Sequence, residues 1–165
     1  MRIDQIVLNV SARPRAQPRA RHTAGGVVST TGKPAAYKSL IREEARRAAS
    51  CLTDIQRNWI KGAIRIDIDW FFAAGSHSLF GYPRAARPDR DNLDKLVLDA
   101  LVQGGLLPDD ASVAQGWIAK WYAPKDGAVI VISPALRRKD DMPEALGILD
   151  APEADAIYHA EQERG

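Results

Sequence analysis

Residues 63–72, AIRIDIDWFF, alternate strictly: Ile64, Ile66, Ile68 and Trp70 on one side, Arg65, Asp67, Asp69 and Phe71 on the other. Period two sends successive side chains to opposite faces of an extended chain, so the stretch predicts a β-strand. Residues 3–10 alternate well enough for another strand. Residues 112–122 and 127–133 read as two more, joined at PKDG as an expected hairpin. Two helical patterns accompany them. One opens at Lys33-Pro34 and is expected to reach about Asn58, with Tyr37, Leu40, Ile41, Ala45 and Ala48 at helical spacing. The other carries Leu93, Leu96, Val97, Ala100 and Leu101 as an i, i+3, i+4, i+7, i+8 stripe and stops at Gly104-Gly105. The expected fold is α+β, a mixed sheet of about four strands with two main helices packed on it. The chain has 165 residues, enough for one domain with a real core, placed at 1–135.

Charge is divided unevenly along the chain. Residues 140–165 hold eight acids and one base, a net of −7, so 1–139 carry 22 bases against 13 acids, a net of +9. A body this basic favours a polyanionic partner. The segment 136–165 reads as an acidic tail, expected to be partly disordered. Residues 11–33 contain Arg13, Arg15, Arg19 and Arg21 with two prolines, three glycines and no acid. Proline lacks a donor and fixes φ, so this is an extended loop rather than a central strand, suited to tracking phosphates. The loop at 73–88 adds Arg84 and Arg87. No apolar run approaches the roughly 20 residues of a membrane span. The N-terminal MRIDQIVLNV carries Asp4 and alternates like a strand rather than a signal peptide, so a cytoplasmic protein is expected. A lone Cys51 makes neither an internal disulfide nor a thiolate metal cage and is expected to pack. Neither a P-loop nor a dinucleotide fingerprint is present.

The chemistry concentrates in residues 87–110, RPDRDNLDKLVLDALVQGGLLPDD, which place Asp89 and Asp91 before a helix and Asp109 and Asp110 after it. Two residues apart within a helix, Asp89 and Asp91 would diverge by about 200°. At a loop-to-helix junction both can face one point. Carboxylates there can also simply cap the first turn, with Lys95 an i, i+4 partner of Asp91, and Pro-Asp-Asp is good turn chemistry. Convergence of the two pairs requires the strand after Asp110 to begin near the helix N-terminus. If they converge, two charges about 4 Å apart repel by about 4 kcal/mol at an effective dielectric of 20, so either protons or a cation must compensate. Oxygen-only donors suit Mg²⁺, with Mn²⁺ as a substitute. Asp67 and Asp69 on one strand face form a rival pair. Asp94 is expected at the surface. His22, His77 and His159 make no ligand pattern. Trp117 and Trp121 share a strand face and are expected in the core.

Asp89-Arg90-Asp91-Asn92, Lys95, Asp99-Ala100-Leu101 and Asp109-Asp110 together closely resemble the signature of the RusA family of Holliday-junction resolvases. The arginine arm followed by YKSLIREEARRAA looks like that family's N-terminal half, and the likeness spans roughly residues 3–133. The resemblance implies a small homodimeric, Mg²⁺-dependent endonuclease that binds branched DNA by shape and nicks two strands symmetrically. By matching position it implies Asp89, Asp91 and Asp110 as metal-binding catalytic acids and Lys95 as the essential lysine. Arg13, Arg15, Arg19, Arg21, Arg84, Arg87 and Arg90 would hold backbone phosphates, with no base readout. Two rivals stand beside this reading: a non-catalytic nucleic-acid-binding module with an acidic regulatory tail, and a metal-dependent phosphatase that would leave the arginine arm idle.

Overall fold

The computed structural model describes residues 5–17 and 32–135, and the backbone of 22–23 and 26–27. Arg19, Arg21, His159, the His22 side chain and the tail at 136–165 lie outside the described residues. The elements run β1 (Ile6–Val10), β2 (His22–Thr23), β3 (Gly26–Val27), α1 (Lys33–Ser50), α2 (Asp54–Trp59), β4 (Ile64–Ala73), α3 (Arg90–Gln103), β5 (Val113–Ala123) and β6 (Gly127–Pro134). β2 and β3 pair with each other as a two-residue ladder. The other four strands form one mixed sheet in the order β1-β6-β4-β5.

One face of that sheet is dry. Ile6, Leu8 and Val10 of β1, Ala128, Ile130 and Ile132 of β6, and Ile64, Ile66, Ile68, Trp70 and Phe72 of β4 are all buried. Tyr37, Ile41 and Ala45 of α1 cover them, with the five-residue stripe of α3 beside them. Each stripe residue of α3 is 0% exposed, and full burial of such a side chain stabilises by roughly 1.5–3 kcal/mol. α3 ends as its glycines predict. Gly105 takes φ +73°, its N–H donates to Val102 O at 2.9 Å, and Leu106 N–H donates to Leu101 O at 3.1 Å. That is a Schellman closure, sealed by the contact-competent pair Leu101 and Leu106, both buried. Gly104 serves packing instead: a Cβ there would stand 2.6 Å from Ala45 Cβ and 2.8 Å from Arg42 O, so α1 passes too close for any side chain.

Three expectations about the elements need correction. The first helix does not run to Asn58. It stops at Ser50, and a new helix starts behind Thr53, whose side chain accepts from Gln56 N while Gln56 caps Thr53 N in return. This capping box, Thr-x-x-Gln, offers a helix start that competes with continuation. Cys51 is therefore an exposed helix end rather than a packed residue. The expected hairpin is also absent. β5 and β6 are not neighbours, because β4 lies between them, parallel to β5 and antiparallel to β6. Parallel strands need a crossover, and α3 provides it, so β4-α3-β5 is a βαβ unit. Trp117 is the third correction: it is 59% exposed on the sheet's open face, in one row with Val7, Val131 and Asp67. Among the described residues only one face of this sheet is covered by helices, and Trp117 lies on the other.

Candidate functional site

The βαβ unit fixes where the two aspartate pairs lie. Lys120 on β5 sits beside Trp70 on β4, and its ammonium donates to Pro88 O at 2.9 Å and Ala86 O at 3.0 Å. Asp89, the residue next to Pro88, thus starts α3 at the C-terminal end of β4. The helix then runs back along the strands, and β5 begins at the other end, Val113 beside Ile64. From Val113 to Lys120 is seven residues, roughly 23 Å at about 3.3 Å each. Asp109 and Asp110 precede Val113, so they stand at the opposite end of the sheet from Asp89 and Asp91. Among the described residues no three His, Cys, Asp or Glu side chains come together as a metal-binding group. The expected convergence therefore does not occur within one chain. The reason is topological: a crossover helix returns the chain to the start of the next parallel strand.

Each pair has its own local chemistry. Asp89 occupies the N-cap position of α3 with extended backbone angles, yet its side chain makes no capping hydrogen bond. Asp91 lies in the first helical turn, where a negative charge meets the positive end of the helix dipole. Lys95 is exposed one turn further on. At the other end, Asp109 Oδ1 accepts from Ala111 N at 2.9 Å in a short 3-10 turn over Asp110–Ser112. That backbone donor, with help from Asp110, holds the Asp109 carboxyl below its ordinary range. Asp110 moves the opposite way, upward, chiefly through its hydrogen bond with Asp109.

The arginines gather at the Asp89 end. The segment after β1 comes down on α3, where Gln17 N–H donates to Asn92 O at 3.0 Å. Arg13 is exposed and Arg15 half-buried on that segment. Arg87 and Arg90 are exposed beside the motif, Arg90 with its Nε 3.7 Å from Asp94 Oδ2. Arg84 stacks on Phe72, 4.2 Å from the ring centroid, and donates to Ala86 O. The rival pair has structural work instead. Asp67 accepts from Arg65 Nε and from Trp117 N, and Asp69 accepts from Trp121 Nε1 at 2.7 Å. Asp99 of the motif pairs with Lys38 of α1 at 3.1 Å and ties the two helices together.

Residues 9–133 match the model of the family described as Endodeoxyribonuclease RusA. The chain belongs to that family. No curated protein matches it. The RusA match covers the whole sheet except the leading residues of β1 and the last residue of β6, and it includes both aspartate pairs, Lys95 and Lys120. Two RusA-domain residues near the motif escaped the sequence reading. Lys120 gave no signal, since a strand lysine three residues from Trp117, which was expected in the core, falls on the opposite face and looks like surface. Asp94, expected at the surface, is only 16% exposed at its side chain. It sits beneath the first turns of α3 and lines a cavity of about 210 Å³ with Ile66, Ile68, Leu98, Gly116 and Ile118.

Burial pushes the Asp94 carboxyl up to about 6, and the nearby Arg90 guanidinium only partly opposes it. Its Oδ1 and the Trp70 Nε1 are both buried without a hydrogen-bond partner. In the unfolded chain Asp94 loses its proton near pH 4. Between about pH 4 and 6 the folded state therefore binds more protons than the unfolded state, and stability falls as pH rises through that window. Urea midpoints measured from pH 4 to 7 should show this decline, and Asp94→Asn should reduce it. A variant with the wild-type pH slope would place the titration elsewhere.

Proposed function

We propose that this RusA-family protein is a Mg²⁺-dependent endodeoxyribonuclease that resolves four-way DNA junctions as a homodimer. The observation that carries this reading is the meeting of Asp89 and Asp91 with Arg13, Arg15, Arg84, Arg87 and Arg90 at one end of the sheet. A pure binder gains nothing from clustered carboxylates where phosphate must approach. Hard oxygen donors suit Mg²⁺ or Mn²⁺, but one chain offers them only in pairs. Bound there, such an ion would supply a nucleophile at neutral pH and neutralise charge developing on the phosphate.

Assembly between two copies would supply the missing acid. Among the described residues β5 is an edge strand, and the loop at 81–84 covers its outer side only at Lys120–Tyr122. Ala114, Gly116 and Trp117 of its other half are exposed. Two copies pairing antiparallel about Gly116 form an isologous contact. That arrangement lays the Asp110 end of one strand beside the Lys120 end of the other. Each site then combines Asp89, Asp91 and Lys95 of one subunit with Asp110 of the partner subunit, and the dimer carries two such sites for two strands. Lys95 donates to a phosphate oxygen as charge builds there, and the arginines hold the backbone without reading bases.

The test is a cleavage assay comparing a four-way junction with plain duplex, with and without Mg²⁺. Paired nicks confined to the junction in Mg²⁺ support the proposal. Binding without cutting in any divalent metal would favour the non-catalytic module, a reading supported by the failure of one chain to gather three acids. Junction affinity should also fall steeply with salt. Replacing Arg13 and Arg15 together with alanine should flatten the log–log slope by about 2. An unchanged slope would put both residues off the DNA.

A further inference from the structure

Lys120 is a charge beside the motif that the proposed chemistry does not use. It lies on the helix-facing side of β5, in register with Trp70, and is half-buried. Burial lowers its pKa, with Arg84 and Arg90 acting in the same direction and Asp89 and Asp94 opposing them. Two of its three ammonium protons go to carbonyls two residues apart in one loop, Ala86 O at 3.0 Å and Pro88 O at 2.9 Å. Its own carbonyl accepts Arg84 N at 2.8 Å, so the same residue grips the loop through backbone and side chain. Arg84 in turn donates to Ala86 O and stacks over Phe72 and Tyr122. The loop ends at Asp89, whose side chain takes no part in capping α3.

We propose that Lys120 is a positioning residue for the nuclease site: its ammonium clamps Ala86 and Pro88 and thereby sets the turn that aims Asp89 and Asp91. An N-cap aspartate ordinarily spends an oxygen on the first-turn amides. Here the start of α3 is fixed from a neighbouring strand, which leaves the Asp89 carboxylate outside the helix's own hydrogen bonding. A lysine suits this task because one compact ammonium can donate to two carbonyls on different sides of it. The consequence is mechanical. Without the clamp, Ala86 and Pro88 lose their side-chain tie to β5, although the backbone bonds from Arg84 N to Lys120 O and from Gly81 N to Tyr122 O persist, and the turn leading into Asp89 loosens while every proposed ligand is still present. A misplacement of about 1 Å at reacting groups can cost on the order of 100-fold in rate.

This inference rests on the nuclease reading, and its test separates the two. Lys120→Met keeps the aliphatic stem and removes all donors, and Lys120→Arg keeps the charge and several donors. On the whole 165-residue chain, Lys120→Met should lower kcat for junction cutting about 100-fold. KM, and junction Kd in Ca²⁺, should change by less than about threefold. Amide hydrogen exchange should accelerate in the peptide covering 84–92 and stay slow in β4 and β6. Lys120→Arg should recover most of the lost rate. Wild-type cutting by Lys120→Met would overturn the proposal. So would a loss confined to KM and Kd, which would make Lys120 a phosphate contact, or unchanged exchange at 84–92. Were the unaltered protein itself unable to cut, the nuclease reading would fall, and unchanged or faster exchange at 84–92 would still decide whether Lys120 holds the loop.

Discussion

Asp91→Asn should leave junction binding in Ca²⁺ within about twofold of wild type and reduce cutting in Mg²⁺ by at least 100-fold to 1,000-fold, on the scale of losing one aimed charge-stabilising group. Asparagine matches the aspartate in shape, so the first turn of α3 keeps its packing around Leu93. The change removes one negative charge near the helix N-terminus, which costs only about 0.3–1 kcal/mol of stability. A small fall in melting temperature with a large fall in rate would separate chemistry from folding. Junction affinity should, if anything, tighten slightly, because a charge that repels phosphate is gone. Full cutting by this variant in Mg²⁺ would remove Asp91 from the site.

The second large effect concerns how the site is assembled. Asp91→Asn and Asp110→Asn should each be inactive alone, and mixing the two after denaturation and refolding together should restore nicking. In a mixed dimer one site receives Asp89 and Asp91 from the Asp110→Asn chain and Asp110 from the Asp91→Asn chain, so it is intact. The other site collects both substitutions. Random reassortment makes about half of the dimers mixed, each with one of two sites working, so roughly a quarter of wild-type nicking returns. The product should be a junction nicked in one strand rather than a resolved pair. If all acids acted within one chain, every chain in the mixture would be defective and nothing would return. The distance argument makes the outcome informative: the two aspartate pairs lie at opposite ends of β5, roughly seven strand residues apart.

Much of this architecture was legible from local pattern. The alternation at 63–72 marked β4 to within one residue, and the stripe from Leu93 to Leu101 marked α3. Gly104 and Gly105 announced its end, because a left-handed residue and a close helix crossing both call for glycine. The arginine-rich arm could be named from residue types and spacing, whereas Asp89, Asp91, Asp110 and Lys95 were singled out by the resemblance to the RusA family, since spacing left cap and turn roles open. The helix break at Thr53 was readable too, since the capping box stands in the sequence, but the apolar spacing across 33–58 outweighed it.

What failed to appear in the sequence was adjacency. Two strand-like runs separated by PKDG look like a hairpin, yet β4 inserts between them. Strand pairing depends on which edges are available after other elements have docked, and spacing along the chain does not encode that. The same mistake hid the separation of the aspartate pairs, because a hairpin reading leaves the start of β5 unplaced. Asp94 and Lys120 were missed for a related reason. Their settings come from groups distant in sequence, the apolar wall of Ile66, Ile68 and Ile118 for the one and Ala86 with Pro88 for the other.

By itself the sequence determined the elements, the chemical types at the site and the polyanion-seeking charge of the body. These follow from side-chain periodicity, backbone propensity and charge, which act over a few residues. The tertiary structure alone decided that α3 is a crossover between parallel strands, that the two pairs of acids are held apart within a chain, and that a lysine from β5 fixes the turn before Asp89. Those outcomes depend on packing between distant segments, where only the folded chain brings the partners within hydrogen-bond reach.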